Sequence, residues 1–241
     1  MTQGPWAYID LDALRSNLAV CRRSAPNSRV WAVIKADAYG HGVGACASAL
    51  SEADGFAVAR VTEALGLRAI GVDKPMLVME GPADDAELSG ALSMGLELVV
   101  HSHWQAELIR DHLQSNPSSR AVRLWVKVDT GMGRLGVFPS ETSAMIERLR
   151  GLSSAVDVVG IMTHLANADD RTLPTTAEQC EQARALATGT GLALSVGNSA
   201  GVLAHPAART DWVRPGIMLY GGSPLLDASA QALCRRSFRP A

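Results

Sequence analysis

Val30-Trp31-Ala32-Val33-Ile34-Lys35-Ala36-Asp37-Ala38-Tyr39-Gly40-His41-Gly42 carries five apolar residues into one lysine, then into a tyrosine in a glycine-bounded turn. The run shows no polar alternation, so it reads as a strand covered on one face and packed inside on the other, as in a parallel sheet. A lysine at the end of such a strand is costly to desolvate as an ammonium, which favours its neutral, nucleophilic amine. A strand-end lysine also commonly snorkels to solvent, and the residues alone leave both readings open.

Working outward from 30–36, seven more runs share the pattern: 55–60, 76–80, 96–102, 122–129, 157–164, 192–198 and 212–220. Between them lie helical stretches at 43–53, 62–70, 84–94, 140–149 and 176–188. Asp84 and Ser140 are good N-cap types, and Gly71, Gly95 and Gly151 are good stop signals. Eight β/α units in 241 residues predict an α/β fold, a (β/α)8 TIM barrel, which typically takes about 250 residues. The alternative, a doubly wound open sheet, lacks a Gly-x-Gly-x-x-Gly turn after the first strand. Residues 6–11 read as a further strand outside the eight. The barrel is expected over 1–225, and 226–241 reads as an irregular, poorly ordered tail.

Hydrophobic residues make up 47% and charged residues 19% of the chain, the profile of a soluble globular protein. A net charge of -2 gives no electrostatic case for nucleic acid or for an anionic membrane. Any bound phosphate must therefore be held locally, by loop amides and helix N-termini. The start of the chain lacks a basic n-region and an apolar h-region, and no run approaches the ~18 apolar residues of a membrane span. Cys21, Cys46, Cys180 and Cys234 form no Cys-x-x-Cys pair. Reduced thiols in a cytoplasmic protein are the reading, with no metal site.

In a barrel of this type, chemistry collects at the carboxyl ends of the strands. Lys35 to Gly42 closes the first strand, and Lys127-Val128-Asp129-Thr130-Gly131-Met132-Gly133-Arg134-Leu135-Gly136 closes the fifth. Thr163-His164 closes the sixth, and Gly197-Asn198-Ser199-Ala200-Gly201 the seventh. Arg214-Pro215-Gly216-Ile217 lies on the eighth. The small-residue turn at 197–201 lets backbone amides approach a phosphate, with the Ser199 hydroxyl as a further donor and Gly216-Ile217 supplying more amides. Taken singly, each piece has an ordinary structural reading: a turn, an ion-pair arginine, a strand-end histidine.

The string around Lys35 is similar to the pyridoxal-phosphate lysine motif of alanine racemases. The segments at 127–136, 163–164, 197–201 and 214–221 resemble others of that family, and the likeness runs from about residue 8 to 223. It implies a pyridoxal 5'-phosphate isomerase that interconverts L- and D-alanine and supplies D-alanine for cell-wall peptidoglycan. It further implies that Lys35 carries the cofactor and is the proton-transfer base for one face of the substrate. By the same resemblance, Tyr39, Asn198, Ser199, Gly216 and Ile217 hold the phosphate. Arg214 bonds the pyridine nitrogen and, staying charged, leaves it unprotonated. Arg134, with Met132, meets the substrate carboxylate, and His164 packs near the ring. Lys127 matches a lysine often carbamylated, which fits the residues: an unmodified ammonium beside Arg134 would repel it.

Alanine racemases continue past this point into a β-rich domain that carries a second catalytic tyrosine and completes the site of the other subunit in a homodimer. Here the likeness ends near Pro224, which predicts a truncated and catalytically impaired chain and weakens the basis for a dimer. A single-domain protein that binds pyridoxal phosphate without turnover is the alternative.

Overall fold

The computed structural model of the chain describes residues 7–116, 120–227 and 229–240. Trp6 of the expected outer strand, Ala228 and Ala241 of the expected tail, and residues 1–6 of the leader reading lie outside them. Among the described residues, ten strands run in chain order: β1 (Ala7–Ile9), β2 (Arg29–Val33), β3 (Gly55–Val58), β4 (Met76–Val78), β5 (Glu97–Val100), β6 (Val122–Lys127), β7 (Val156–Met162), β8 (Ala193–Ser195), β9 (Trp212–Val213) and β10 (Phe238–Pro240). Strands β2 to β9 pair in sequence order as a closed parallel barrel. Closure is made by β2 against β9, with Arg29 opposite Trp212 and Val30 opposite Val213. The eight expected strands and the (β/α)8 barrel are thus present.

The missing alternation in the strand sequences has a direct cause. Trp31 and Val33 point into the barrel with Ala57, Leu77, Val99, Trp125 and Met162. Val30, Ala32 and Ile34 point outward, into the layer shared with the helices. Both faces of the strand are dry, so both are apolar. Inside, Trp31 stacks on Trp212 with ring centres 4.3 Å apart, and Trp125 meets Trp212 edge-on. Two glycines make room for these indoles: a Cβ on Gly55 would fall 2.1 Å from the Trp31 ring, and one on Gly160 2.2 Å from Trp125. The Trp125 indole N–H donates to Glu97 at 2.6 Å, so this buried polar group is satisfied.

Helices at Leu11–Ser24, Val43–Ala49, Val61–Ala69, Asp85–Ser93, His103–Ser115, Thr142–Arg150, Thr175–Ala187 and Ser199–Ala204 surround the barrel. Asp84 caps its helix, accepting from the Glu87 amide at 2.8 Å. Ser140 does not cap: it sits inside a 3-10 turn at Pro139–Glu141 and makes no capping bond. The helices at Leu11–Ser24 and His103–Ser115 were not singled out by the sequence pattern. Among the described residues, no helix is long and apolar enough to cross a membrane.

Three expectations need correction. The first barrel strand stops at Val33 instead of reaching residue 36, because the backbone turns left-handed there. The last keeps only Trp212–Val213; Pro215 has no amide to donate to a ladder, and Ile217–Tyr220 winds into a 3-10 turn. Finally, the described part of 226–241 is not wholly irregular. β10 pairs antiparallel with β1, Ile9 opposite Phe238. Cys234 and Ser237 are buried, and Ser237 Oγ donates to the Tyr220 carbonyl at 2.8 Å. Gly221 permits this close approach: it holds a φ of 79°, and a Cβ there would meet the Arg235 carbonyl at 2.2 Å.

Candidate active site

After β2 the chain makes a feature no sequence pattern announces. Ala36, Asp37, Ala38 and Tyr39 have φ values of 52°, 51°, 55° and 55°, a single left-handed turn built from non-glycine residues. Each such residue costs of order 1–2 kcal/mol, so the surroundings must hold the turn in place. The Ala36 amide donates to Glu63 Oε1 at 2.7 Å, and the Val43 amide donates to Asp37 Oδ1 at 2.7 Å. The Ala38 amide returns to the Ile34 carbonyl at 3.0 Å. The turn sets Lys35 half-buried on the wall of a cavity, not sealed in the apolar layer. It also stacks the Tyr39 ring on Tyr220, with ring centres 4.7 Å apart. Tyr220 is itself committed, donating its hydroxyl to the Val33 carbonyl at 3.0 Å.

The cavity encloses about 490 Å³ and opens at the carboxyl rim of the barrel. Every residue singled out from the sequence lines it: Lys35, Tyr39, Lys127, Met132, Arg134, His164, Asn198, Ser199, Arg214, Gly216 and Ile217. The sequence reading missed several further lining groups, among them Ala59, Met79, Glu80 and Asp169. These lie outside the motifs quoted above, so no signal marked them.

Arg214 is buried without a carboxylate. Its Nη1 donates to Ser195 Oγ and its Nη2 to the carbonyls of Thr163 and Val196. Among the described residues its Nε–H has no acceptor. Burial pushes the guanidinium down to about 10, so it still keeps its proton at neutral pH. Lys127, also buried, has no hydrogen-bond acceptor among the described residues. Burial, then the charges of Arg214 and Arg134, push its amine down to about 8, with Asp129 opposing. Burial and the same cations, with Lys35, push the His164 imidazole down to about 3, so it is neutral at physiological pH.

The loops that carry these groups are themselves tied. Asp129 Oδ1 accepts from the amides of Gly131, Met132 and Gly133 at 2.8–3.1 Å, which shapes the loop that presents the exposed Arg134. Gln179, buried on the helix Thr175–Ala187, accepts from the Ala166 amide and donates to Thr130 Oγ1 and the His164 carbonyl. It joins the loops after β6 and β7. Across the rim, Ser199 Oγ accepts from the amides of Gly216 at 2.9 Å and Met218 at 3.2 Å. A Cβ on Gly216 would sit 2.3 Å from the Tyr39 hydroxyl. Tyr39, Ser199 and Gly216 therefore form a close polar cradle that only glycine leaves open. Among the described residues, no group of three or more His, Cys, Asp or Glu side chains could hold a metal ion.

Four cations and a neutral imidazole around a cavity, beside a hydroxyl cradle at the rim of a parallel barrel, define a site for a small anionic ligand. Comparison with known proteins makes this more specific. Residues 9–224 match the family described as the N-terminal domain of alanine racemase, and the chain belongs to that family. It is 44% identical to the alanine racemase of Halorhodospira halophila over 228 residues, 94% of this chain and 62% of that protein. The Thioalkalivibrio sulfidiphilus alanine racemase is 46% identical over 97% of this chain and 64% of that protein. The crystal structure of the biosynthetic alanine racemase from Pseudomonas aeruginosa superposes with a TM-score of 0.92 at 37% identity, covering 99% of this chain and 66% of that one. The chain thus spans somewhat less than two thirds of the length of these relatives.

Proposed function

We propose that this barrel binds pyridoxal 5'-phosphate covalently through Lys35 and serves as the cofactor-bearing part of an alanine racemase. The observation that carries the reading is the convergence of Lys35, Lys127, Arg134, His164, Ser199 and Arg214, from five different strand ends, on one cavity. The donor set fits the cofactor: hydroxyls at Tyr39 and Ser199 for a phosphate, and an Arg214 Nε–H with no acceptor among the described residues for a ring nitrogen. Alanine as the substrate is carried over from the names of the relatives, and the supply of D-alanine to peptidoglycan is what membership of the family implies. The same reading places the protein in the cytoplasm, where its four free, buried cysteines stay reduced.

Bound there, the pyridoxal ring supplies an electron sink that acidifies the substrate's α-hydrogen. The Lys35 amine takes or returns that hydrogen as a proton on its own face of the substrate. Arg134, at the open side of the cavity, pairs with the substrate carboxylate, with Met132 beside it. Arg214 holds its proton at neutral pH and so donates only, leaving a ring nitrogen it meets unprotonated. His164 is neutral and spaces the cations without adding charge. Lys127 is a site for carbamylation: its lowered pKa raises the share of neutral amine, which adds to carbon dioxide with loss of one proton. The resulting anion meets the charges of both Arg214 and Arg134 and offsets their repulsion.

The test is reduction with borohydride after incubation with pyridoxal phosphate. Peptide mapping should find the cofactor on Lys35, and Lys35→Ala should abolish the adduct while leaving weaker, reversible binding through the cradle. An adduct on Lys74 or Lys127 in the native chain would overturn the assignment.

A further inference from the structure

We infer that Glu63 is the positioning residue for Lys35, acting by holding the left-handed turn that follows it; the inference rests on the cofactor role proposed for Lys35. Glu63 sits in the first turn of the helix Val61–Ala69, away from the cavity lining. Its two carboxylate oxygens serve two elements at once. Oε1 accepts from the Ala36 amide at 2.7 Å, the residue directly after Lys35. Oε2 accepts from the amides of Ala59 at 2.7 Å and Arg60 at 3.1 Å, where β3 gives way to its helix.

A carboxylate at this place in a helix ordinarily caps its own N-terminus, and the Arg60 bond does that. The Ala36 bond is different in kind, because it reaches a separate strand end. Ala36 is exposed and is the first of four residues forced to positive φ, so nothing in its own side chain favours the conformation. A charged acceptor on its amide, anchored by a second oxygen to the neighbouring strand end, fixes where the turn begins. The same turn carries the Tyr39 hydroxyl to Gly216. Glu63 thereby couples the lysine and the phosphate cradle to the rigid barrel wall.

The experiment compares the native chain with Glu63→Gln, in which one oxygen becomes a donor facing a donor. Three quantities are read: unfolding of the cofactor-free proteins, affinity for pyridoxamine phosphate, and the rate at which pyridoxal phosphate becomes borohydride-trappable on Lys35. Losing a hydrogen bond to a charged acceptor is expected to slow trapping about tenfold, with affinity for the amine form falling less. Adding Ala36→Gly to Glu63→Gln should recover part of the trapping rate, since glycine adopts positive φ without the methyl clash. Glycine at positive φ would raise stability in either background, so the unfolding measurement separates that general gain from recovery of the trapping rate. Equal trapping in native protein and Glu63→Gln overturns the inference. Absence of trapping on Lys35 in the native chain overturns the proposed function instead. Should Glu63→Gln fail to fold, the native protein decides by amide hydrogen exchange. Slow exchange at exposed Ala36 supports the Glu63 bond, and exchange at the rate of a free loop amide rules it out.

Discussion

A buried ammonium at Lys127, facing Arg214 and Arg134 with no acceptor of its own among the described residues, is destabilising unless something neutralises it. The fall of its pKa from 10.5 to about 8 corresponds to about 3 kcal/mol. The folded-state pKa is depressed, so the unfolded chain holds this proton more tightly. Stability therefore rises with pH between about 8 and 10.5, and the full cost is present below 8. In buffer freed of carbon dioxide, Lys127→Met should raise the stability of the cofactor-free protein at pH 7 by about 2–3 kcal/mol in urea unfolding. The gain should shrink toward pH 10. Added bicarbonate should stabilise the native chain and not the variant. A Lys127→Met protein that is less stable without carbon dioxide would contradict this account. The convergence of the proposed site residues on one cavity was legible in the sequence because each stands in a compact string of distinctive chemistry at a strand end. Glu63 and Gln179 could not, since their partners are backbone groups of other elements and leave no mark in the local sequence.

At the scale of elements, the first helix and the segment that leads into the last strand are joined more firmly than their separation in the chain suggests. Asn17, fully buried in the helix Leu11–Ser24, donates to the carbonyls of Leu219 at 2.9 Å and Arg235 at 2.8 Å, and accepts from the Arg235 amide at 2.7 Å. Asn17→Ala removes three hydrogen bonds and leaves buried backbone groups unpaired, which should cost about 2–4 kcal/mol. The loss should appear first as protease sensitivity around residues 229–240, with the far-ultraviolet signal of the barrel retained. Uniform loss of all structure would show instead that the terminal segment and the barrel unfold as one unit. The irregular look of that segment in sequence has a simple origin. A three-residue strand on a two-stranded ribbon is too short to show periodicity, and its stability comes from partners some 220 residues away. The left-handed turn after Lys35 was hidden for a related reason. Alanine, aspartate and tyrosine do not favour positive φ, so only outside contacts select it.

For the whole molecule, two amines among the described residues line the cavity, Lys35 and the buried Lys127, and carbamylation would take up the second; the Tyr220 hydroxyl is spent on Val33, and Tyr39 lies in the proposed phosphate cradle. Racemisation needs a base on each face of the carbanion. The 241-residue chain, loaded with pyridoxal phosphate, should therefore exchange the α-hydrogen of one enantiomer of alanine in deuterated buffer while inverting little of it. Proton NMR beside chiral chromatography checks both quantities, and inversion as fast as exchange would mean a second base acts at this site. The sequence by itself determined the number of barrel strands, their parallel character and the chemistry at their carboxyl ends. Those properties are written locally, in unbroken apolar runs that a two-faced strand requires and in glycine turns that follow them. Tertiary structure alone decided how the barrel closes, where the first and last strands stop, how Lys35 is aimed and what the final segment pairs with. Each of these depends on contacts between residues far apart in the chain, such as Arg29 with Trp212, Ala36 with Glu63 and Asn17 with Arg235. Their free energy belongs to the pair, so neither partner's local sequence carries it.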